Sequence, residues 1–129
     1  TESYLHESSA FGIGDTLKSE LPQVWAECQH ANWDGYGAVP VSQEALYGMY
    51  SFLKALPLGS PRPTIGAEPD GQLSAEWYRN PQRVLSVSVS PDGLLHYAAL
   101  LGTSKTCGTE PFSDEVPETI LNLVRRVYS

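Results

Sequence analysis

The tripeptide Pro-Asp-Gly occurs twice, at residues 69–71 and 91–93, and each copy separates two segments in which apolar and polar residues alternate. A period of two is typical of a β-strand that buries one of its faces. Proline suits the second position of a type I turn, aspartate suits the third, and glycine accepts the left-handed conformation that forms a G1 bulge. The two tripeptides therefore predict two hairpins in a four-stranded antiparallel meander.

Residues with helical spacing flank this meander. The first helix is predicted to have Asp15 as its N-cap and to run into Asn32, and Pro22 either kinks it or lies in the first turn of a shorter helix. A second helix is predicted after the N-cap Ser42, and a third opens at Pro117. The apolar face of the first helix comprises Ile13, Leu17, Leu21, Val24, Trp25 and Cys28.

The order of these elements predicts an α+β fold: a four- to five-stranded antiparallel β-meander with two N-terminal helices and one C-terminal helix, written ααββββ(β)α. The fifth strand is expected in residues 103–111, at an edge of the sheet because Pro111 lacks an N–H group. The chain of 129 residues is long enough for one core. We expect a single domain over residues 1–129, with residues 1–14 as a loosely ordered arm.

Charge and composition restrict the class of partner. Fifteen acidic residues against eight basic ones give a net charge of −7, which opposes the counterion release that drives binding to nucleic acid. No apolar run approaches a membrane span and the first residues do not resemble a leader, so we expect a cytoplasmic protein without a nucleic-acid or membrane partner. Cys28 and Cys107 lie far apart in the sequence, which predicts two reduced and mostly buried thiols.

The alternation also predicts which residues are neighbours across the sheet. Ser88 should face His96, and Ser74 should lie beside Ser88, which places the three in one row. Glu76 and Ser86 would form the next row. A serine, a histidine and a carboxylate on one surface are compatible with a hydrolase, but a flat sheet face offers neither a strained turn for a nucleophile nor a pair of N–H groups for an oxyanion hole. The alternatives are a solvated face, or a bare polar surface that receives a partner.

Residues 32–38, with the sequence NWDGYGA, form the most specific string in the chain. Asparagine, aspartate and glycine favour tight turns, so a structured connection between two helices is expected. Trp33 and Tyr36 could line an aromatic ligand pocket with Asp34 as its polar anchor. The interpretation favoured here is that Trp33 and Tyr36 fill the core between the helices while Asp34 shapes the turn.

The sequence predicts no cofactor and no metal site. His6, His30 and His96 lie in three separate segments, and Glu68 and Asp70 lie at a hairpin tip without the spacing of a calcium loop. Glycine-rich phosphate loops and the GxSxG nucleophile motif are absent from the sequence. No catalytic residue is therefore assigned.

Several strings occur in an order that resembles a family of small uncharacterised bacterial proteins. They are NWDGYGAVPVS at residues 32–42, AEPDG at 67–71, LSVS at 85–88, and Asp92-Gly93 followed by Tyr97-Ala98. The likeness extends from about Trp25 to Val127. It implies a bacterial, cytoplasmic protein carried on mobile DNA such as gene cassettes, and it brings no functional residue with it.

These observations favour a non-enzymatic interaction or accessory protein, for example antitoxin-like, that acts through a polar sheet face or an oligomer interface. We expect a protein partner or a homo-oligomer. The alternative is a small-ligand-binding protein or hydrolase with a site around Trp33, Asp34, Glu68, Glu76 and His96. The candidate surface comprises Trp33, Asp34, Tyr36, Glu68, Ser74, Glu76, Ser88 and His96.

Overall fold

The computed structural model describes residue 14 and residues 16–129, and its helices flank a sheet as predicted. A π-helical turn, Thr16–Glu20, leads directly into α1, Leu21–Cys28, and α2 spans Gln43–Ala55. Five strands follow: β1 Thr64–Ala67, β2 Leu73–Asn80, β3 Arg83–Val89, β4 Leu94–Leu101 and β5 Ser104–Pro111. The chain continues into α3, Glu118–Val127. This is the predicted α+β fold with the fifth strand present.

Both Pro-Asp-Gly sequences turn hairpins. Gly71 and Gly93 have φ angles of 92° and 82°, in the left-handed region where a glycine meets no steric penalty. Gly71 N donates to Glu68 O at 2.9 Å and Gly93 N donates to Ser90 O at 3.1 Å, the bonds that close a type I turn. The sheet order is β1-β2-β3-β4-β5, so each strand pairs with its neighbours in the sequence.

The predicted register is confirmed. Ser74 pairs with Ser88, Ser88 pairs with His96, and Glu76 pairs with Ser86. Strand β5 then extends each row by one residue, since His96 pairs with Thr109 and Ala98 with Cys107. A slip of one residue would have moved the buried side chains of the central strands into water, which explains why the alternation fixes the pairing.

One core lies between the helices and a single face of the sheet. Helices α2 and α3 pack across the central strands, while α1 contacts β1 and α2. Trp77 is fully buried, and its ring meets that of Phe52 edge to face at 6.2 Å between centroids. Its indole N–H donates to Pro61 O at 2.8 Å, so the only polar atom of the ring is satisfied inside the core.

The first helix differs from the prediction. Helix α1 ends at Cys28, not at Asn32, because Val41 N donates to Cys28 O at 2.8 Å and turns occupy the following residues. Pro22 lies in the first turn of α1, where its missing N–H costs no helical bond. The predicted N-cap Asp15, Ile13 and residues 1–13 of the proposed arm lie outside the described residues. Ser42 caps α2 as predicted, with its hydroxyl 3.1 Å from Ala45 N.

Candidate functional site

The face of the sheet opposite the helices carries the side chains that alternate with the core residues, and we call it the open face. None of them is buried. Alternate residues of a strand point to opposite sides, so the pairing assigns each one without ambiguity. On β2 to β5 the open face consists of Ser74, Glu76, Tyr78, Val84, Ser86, Ser88, Leu94, His96, Ala98, Leu100, Lys105, Cys107, Thr109 and Pro111.

The predicted polar row lies across this face. Ser74, Ser88, His96 and Thr109 are consecutive in it from β2 to β5. The ring of His96 forms its hydrogen bond with Thr109, with 3.1 Å between Nδ1 and Oγ1. The row therefore brings together three of the predicted residues and adds a fourth that sequence analysis missed, because the register of β5 was not predicted.

The predicted carboxylate does not join that row. Glu76 lies on β2 and pairs with Ser86, whereas His96 lies on β4, two strands away. Two strand spacings correspond to about 10 Å, too far for a carboxylate to orient the imidazole by a hydrogen bond. The open face thus places a serine beside a histidine but lacks the third member of a hydrolytic triad at bonding distance.

A depression of about 430 Å³ lies on the open face beside these rows. It is lined by Val84, Ser86, Ala98, Ala99, Leu100, Lys105, Thr106 and Cys107. None of the predicted site residues lines it. The small side chains of Ser86 and Ala98 pair directly with each other and form the floor, while Val84 and Leu100 pair in the next row. The spacing of small residues on β3 and β4 was visible in the sequence, but the wall from β5 was not.

The two cysteines differ from the prediction. Both are free, but only Cys28 is buried, whereas Cys107 is exposed on the open face. Cys107 lies on an edge strand and points away from the helices, so no element of the described chain covers it. Burial, and to a smaller extent the charge of Glu27, raise the pKa of the Cys28 thiol above its ordinary value.

The remaining predicted residues lie in the connection between α1 and α2, which we call the Trp33 loop, residues 32–38. One carboxylate oxygen of Asp34 accepts hydrogen bonds from Tyr36 N at 2.8 Å and from Ala38 N at 3.1 Å. The side-chain oxygen of Asn32 accepts from Gly37 N at 2.6 Å. These bonds confirm that Asp34 shapes the turn, and they fix the loop backbone.

The two aromatic residues of the Trp33 loop have different environments. Trp33 is half-buried against the core and donates from its indole N–H to Val39 O at 2.9 Å. Tyr36 is 93% exposed, so the prediction that it fills the core is wrong. The cause is the backbone: Gly35 and Gly37 on either side have φ angles of 78° and 86°, and this double turn directs Tyr36 into solvent.

Glu68 lies close to this loop. It begins the first Pro-Asp-Gly turn, and that turn contacts the residues after the Trp33 loop through Val39 N, which donates to Pro69 O at 2.8 Å. The structure therefore divides the predicted surface into two groups. Trp33, Asp34, Tyr36 and Glu68 lie around the first hairpin tip, and Ser74, Glu76, Ser88 and His96 lie on the open face.

Comparison of the chain with protein-family models, with curated proteins and with solved structures gave no match. Within residues 14 and 16–129, no group of three or more His, Cys, Asp or Glu side chains is placed to hold a metal ion. No helix of the described part combines the length and the apolarity needed to cross a membrane. What the chain does must therefore be inferred from the two surfaces described above.

Proposed function

We propose that the chain is a non-enzymatic protein-interaction protein that binds its partner through the open face of the sheet. The observation that supports this proposal is the composition of that face. Along β3 and β4 it presents Val84, Ser86, Ser88, Ala98 and Leu100, which are all small or apolar. An antiparallel sheet with a permanently solvated face usually carries long polar side chains there.

Short and apolar side chains favour contact with another protein. Serine and alanine lose little rotamer entropy when they are covered, and covering valine and leucine removes apolar area from water, worth about 25 cal/mol per Å². The depression of about 430 Å³ over Ser86 and Ala98 gives a partner's side chains a place to insert. A protein surface would therefore bind this face at a low cost in entropy and desolvation.

The Trp33 loop offers a second contact. Tyr36 combines 93% exposure with a backbone held by the bonds of Asp34 and Asn32. A tyrosine on a fixed loop brings a large contact area and has few torsions to immobilise, which is why this residue type often anchors interfaces. We propose Tyr36 as a secondary anchor, with Glu68 beside it.

An accessory or antitoxin-like role in a bacterial cell would suit such a protein, and it stays a proposal. The alternative of a small-ligand-binding protein or hydrolase around Trp33, Asp34, Glu68, Glu76 and His96 stays a prediction. It is less well supported, because Glu76 and His96 lie two strands apart and because Asp34 already holds the loop backbone.

Three exposed tyrosines provide a matched test. Tyr78 lies on the open face and is 54% exposed, Tyr36 lies on the Trp33 loop, and Tyr47 lies on α2 and is 62% exposed. Each is replaced by benzoylphenylalanine, a photoreactive residue of similar shape, in the full chain expressed in its native cells. We expect discrete protein adducts after irradiation from position 78, weaker ones from position 36, and none from position 47. Equal labelling at all three positions, or no adduct from position 78, would contradict the proposal.

A further inference from the structure

We infer that the partner on the open face is a second copy of this chain, packed sheet against sheet about a two-fold axis. The inference rests on the proposed function and names the partner for the same surface. It follows from the charge on the face, from the pattern of its rows and from its area.

The charge of the open face differs from that of the rest of the protein. The chain has a net charge of −7, so two copies repel each other over most of their surfaces. On β2 to β5, the described open-face residues include one Glu, Glu76, and one Lys, Lys105, and no Asp or Arg. This face is thus close to neutral, and it is where a second copy could approach with little repulsion. A strongly basic partner would find more complementary charge elsewhere on the molecule.

The rows of the face are complementary to themselves. A two-fold axis parallel to the strands, between β3 and β4, sets β3 of one copy over β4 of the other and β2 over β5. In that arrangement Val84 meets Leu100 of the second copy and Ser88 meets His96, which pairs an apolar group with an apolar one and a hydroxyl with an imidazole. Glu76 then lies one row from Lys105 of the second copy, within reach of these two long side chains.

The depression also fits this arrangement. Its floor, Ser86 and Ala98, lies beside the proposed axis, and its wall includes Leu100 and Lys105. The Val84 side chain of the second copy would enter it, and by symmetry the same contact forms twice. Sheets packed face to face normally interlock in this way, with about 10 Å between them.

The area is sufficient for a reversible dimer. Five strands at a spacing of about 4.8 Å, each about seven residues long at 3.3 Å per residue, cover roughly 550 Å². Two copies would bury about 1,100 Å² in total, above the roughly 1,000 Å² that a specific interface requires and below the size of most obligate dimers. The dimer should therefore dissociate at micromolar concentrations of protein, within the range of ordinary measurements.

Cys107 reports on this interface because it is exposed on the open face, whereas Cys28 is buried and serves as an internal control. The full-length purified chain is studied by sedimentation from about 1 to 300 μM, and the reaction of Cys107 with Ellman's reagent is timed over the same range. We expect a monomer–dimer equilibrium and a Cys107 reaction at least threefold slower when the dimer predominates. A monomer at all concentrations, with a constant Cys107 rate, would overturn the inference.

A charge exchange tests the identity of the partner. Glu76→Lys should weaken the dimer at least fivefold at low salt, because it faces Lys105 of the second copy with a like charge. Adding Lys105→Glu should restore the affinity to within about twofold. Both residues are exposed, so both variants should fold, and Tyr47→Lys on α2 is the matched control. A dimer that ignores both exchanges would refute this arrangement. If the chain is monomeric but position 78 still forms adducts with another protein, the proposed function stands and only this inference fails.

Discussion

The two Pro-Asp-Gly turns allow one variant to serve as the control for another. Gly71 and Gly93 occupy the same position of the same kind of turn, with φ angles of 92° and 82°. They differ in their surroundings. A Cβ atom at position 71 would lie 3.0 Å from Pro40 O and 3.2 Å from a methyl group of Val39, whereas the nearest atom to one at position 93 is Phe112 O, at 3.7 Å.

The expected cost of Gly93→Ala is the backbone strain alone. An alanine in the left-handed region is less stable by about 1–2 kcal/mol, and the loss of freedom in the unfolded chain offsets about 0.4–1 kcal/mol of this. The net loss in the free energy of unfolding should be about 1 kcal/mol. Gly71→Ala must in addition push away a backbone carbonyl and weaken the bond from Val39 N to Pro69 O, worth about 0.5–1.5 kcal/mol. We expect a total of about 2–3 kcal/mol.

Urea unfolding at 25 °C, followed by the fluorescence of the buried Trp77, measures both losses. Gly71→Asn and Gly93→Asn form a second pair, because asparagine tolerates the left-handed region and leaves mainly the contact of the Cβ atom. The difference between positions 71 and 93 should persist in this pair. Equal losses at the two positions would refute the idea that the first turn is packed against the chain after the Trp33 loop.

Three further outcomes are expected. Trp77→Phe should lower the free energy of unfolding by about 2 kcal/mol in urea titrations, because it empties core volume and leaves Pro61 O without its donor. Ser42→Ala should cost about 1 kcal/mol by thermal unfolding, whereas Ser42→Asp should cost little, since aspartate also caps a helix. Because the pKa of Cys28 is raised in the folded chain, its contribution to stability is complete below the unfolded thiol's pKa of about 8.5 and falls as the pH rises through the folded value; Cys28→Ala should flatten that decline in unfolding titrations between pH 7 and 10.

The sheet could be predicted from the sequence because its signals are local and mutually consistent. Each glycine of the two turns fixes a hairpin, and the alternation from Leu73 to Leu101 then leaves one register that buries the core. The pairing of Ser88 with His96 follows from these two facts. Strand β5 lacks such a turn signal and has few apolar residues, so its exact pairing, and with it the wall of the depression, could not be derived.

The direction of single side chains was harder to predict. Tyr36 is flanked by glycines in a segment without periodicity, so its type suggested burial while its backbone directs it outward. Cys107 was assigned to the interior by its type, but the free side of an edge strand places it in solvent. In both cases the outcome depended on tertiary geometry that no pattern of spacing records.

The meander has a consequence for the order of events during synthesis. Every strand pairs with the one made just before it, so the sheet can assemble as the chain emerges and is complete at Pro111. Helix α3, which begins at Glu118 and covers the centre of the sheet with Ile120, Val124 and Val127, is made afterwards. Until then the buried face of β2 to β4, including Trp77, lacks part of its cover, and the nascent protein is most prone to aggregation at that stage.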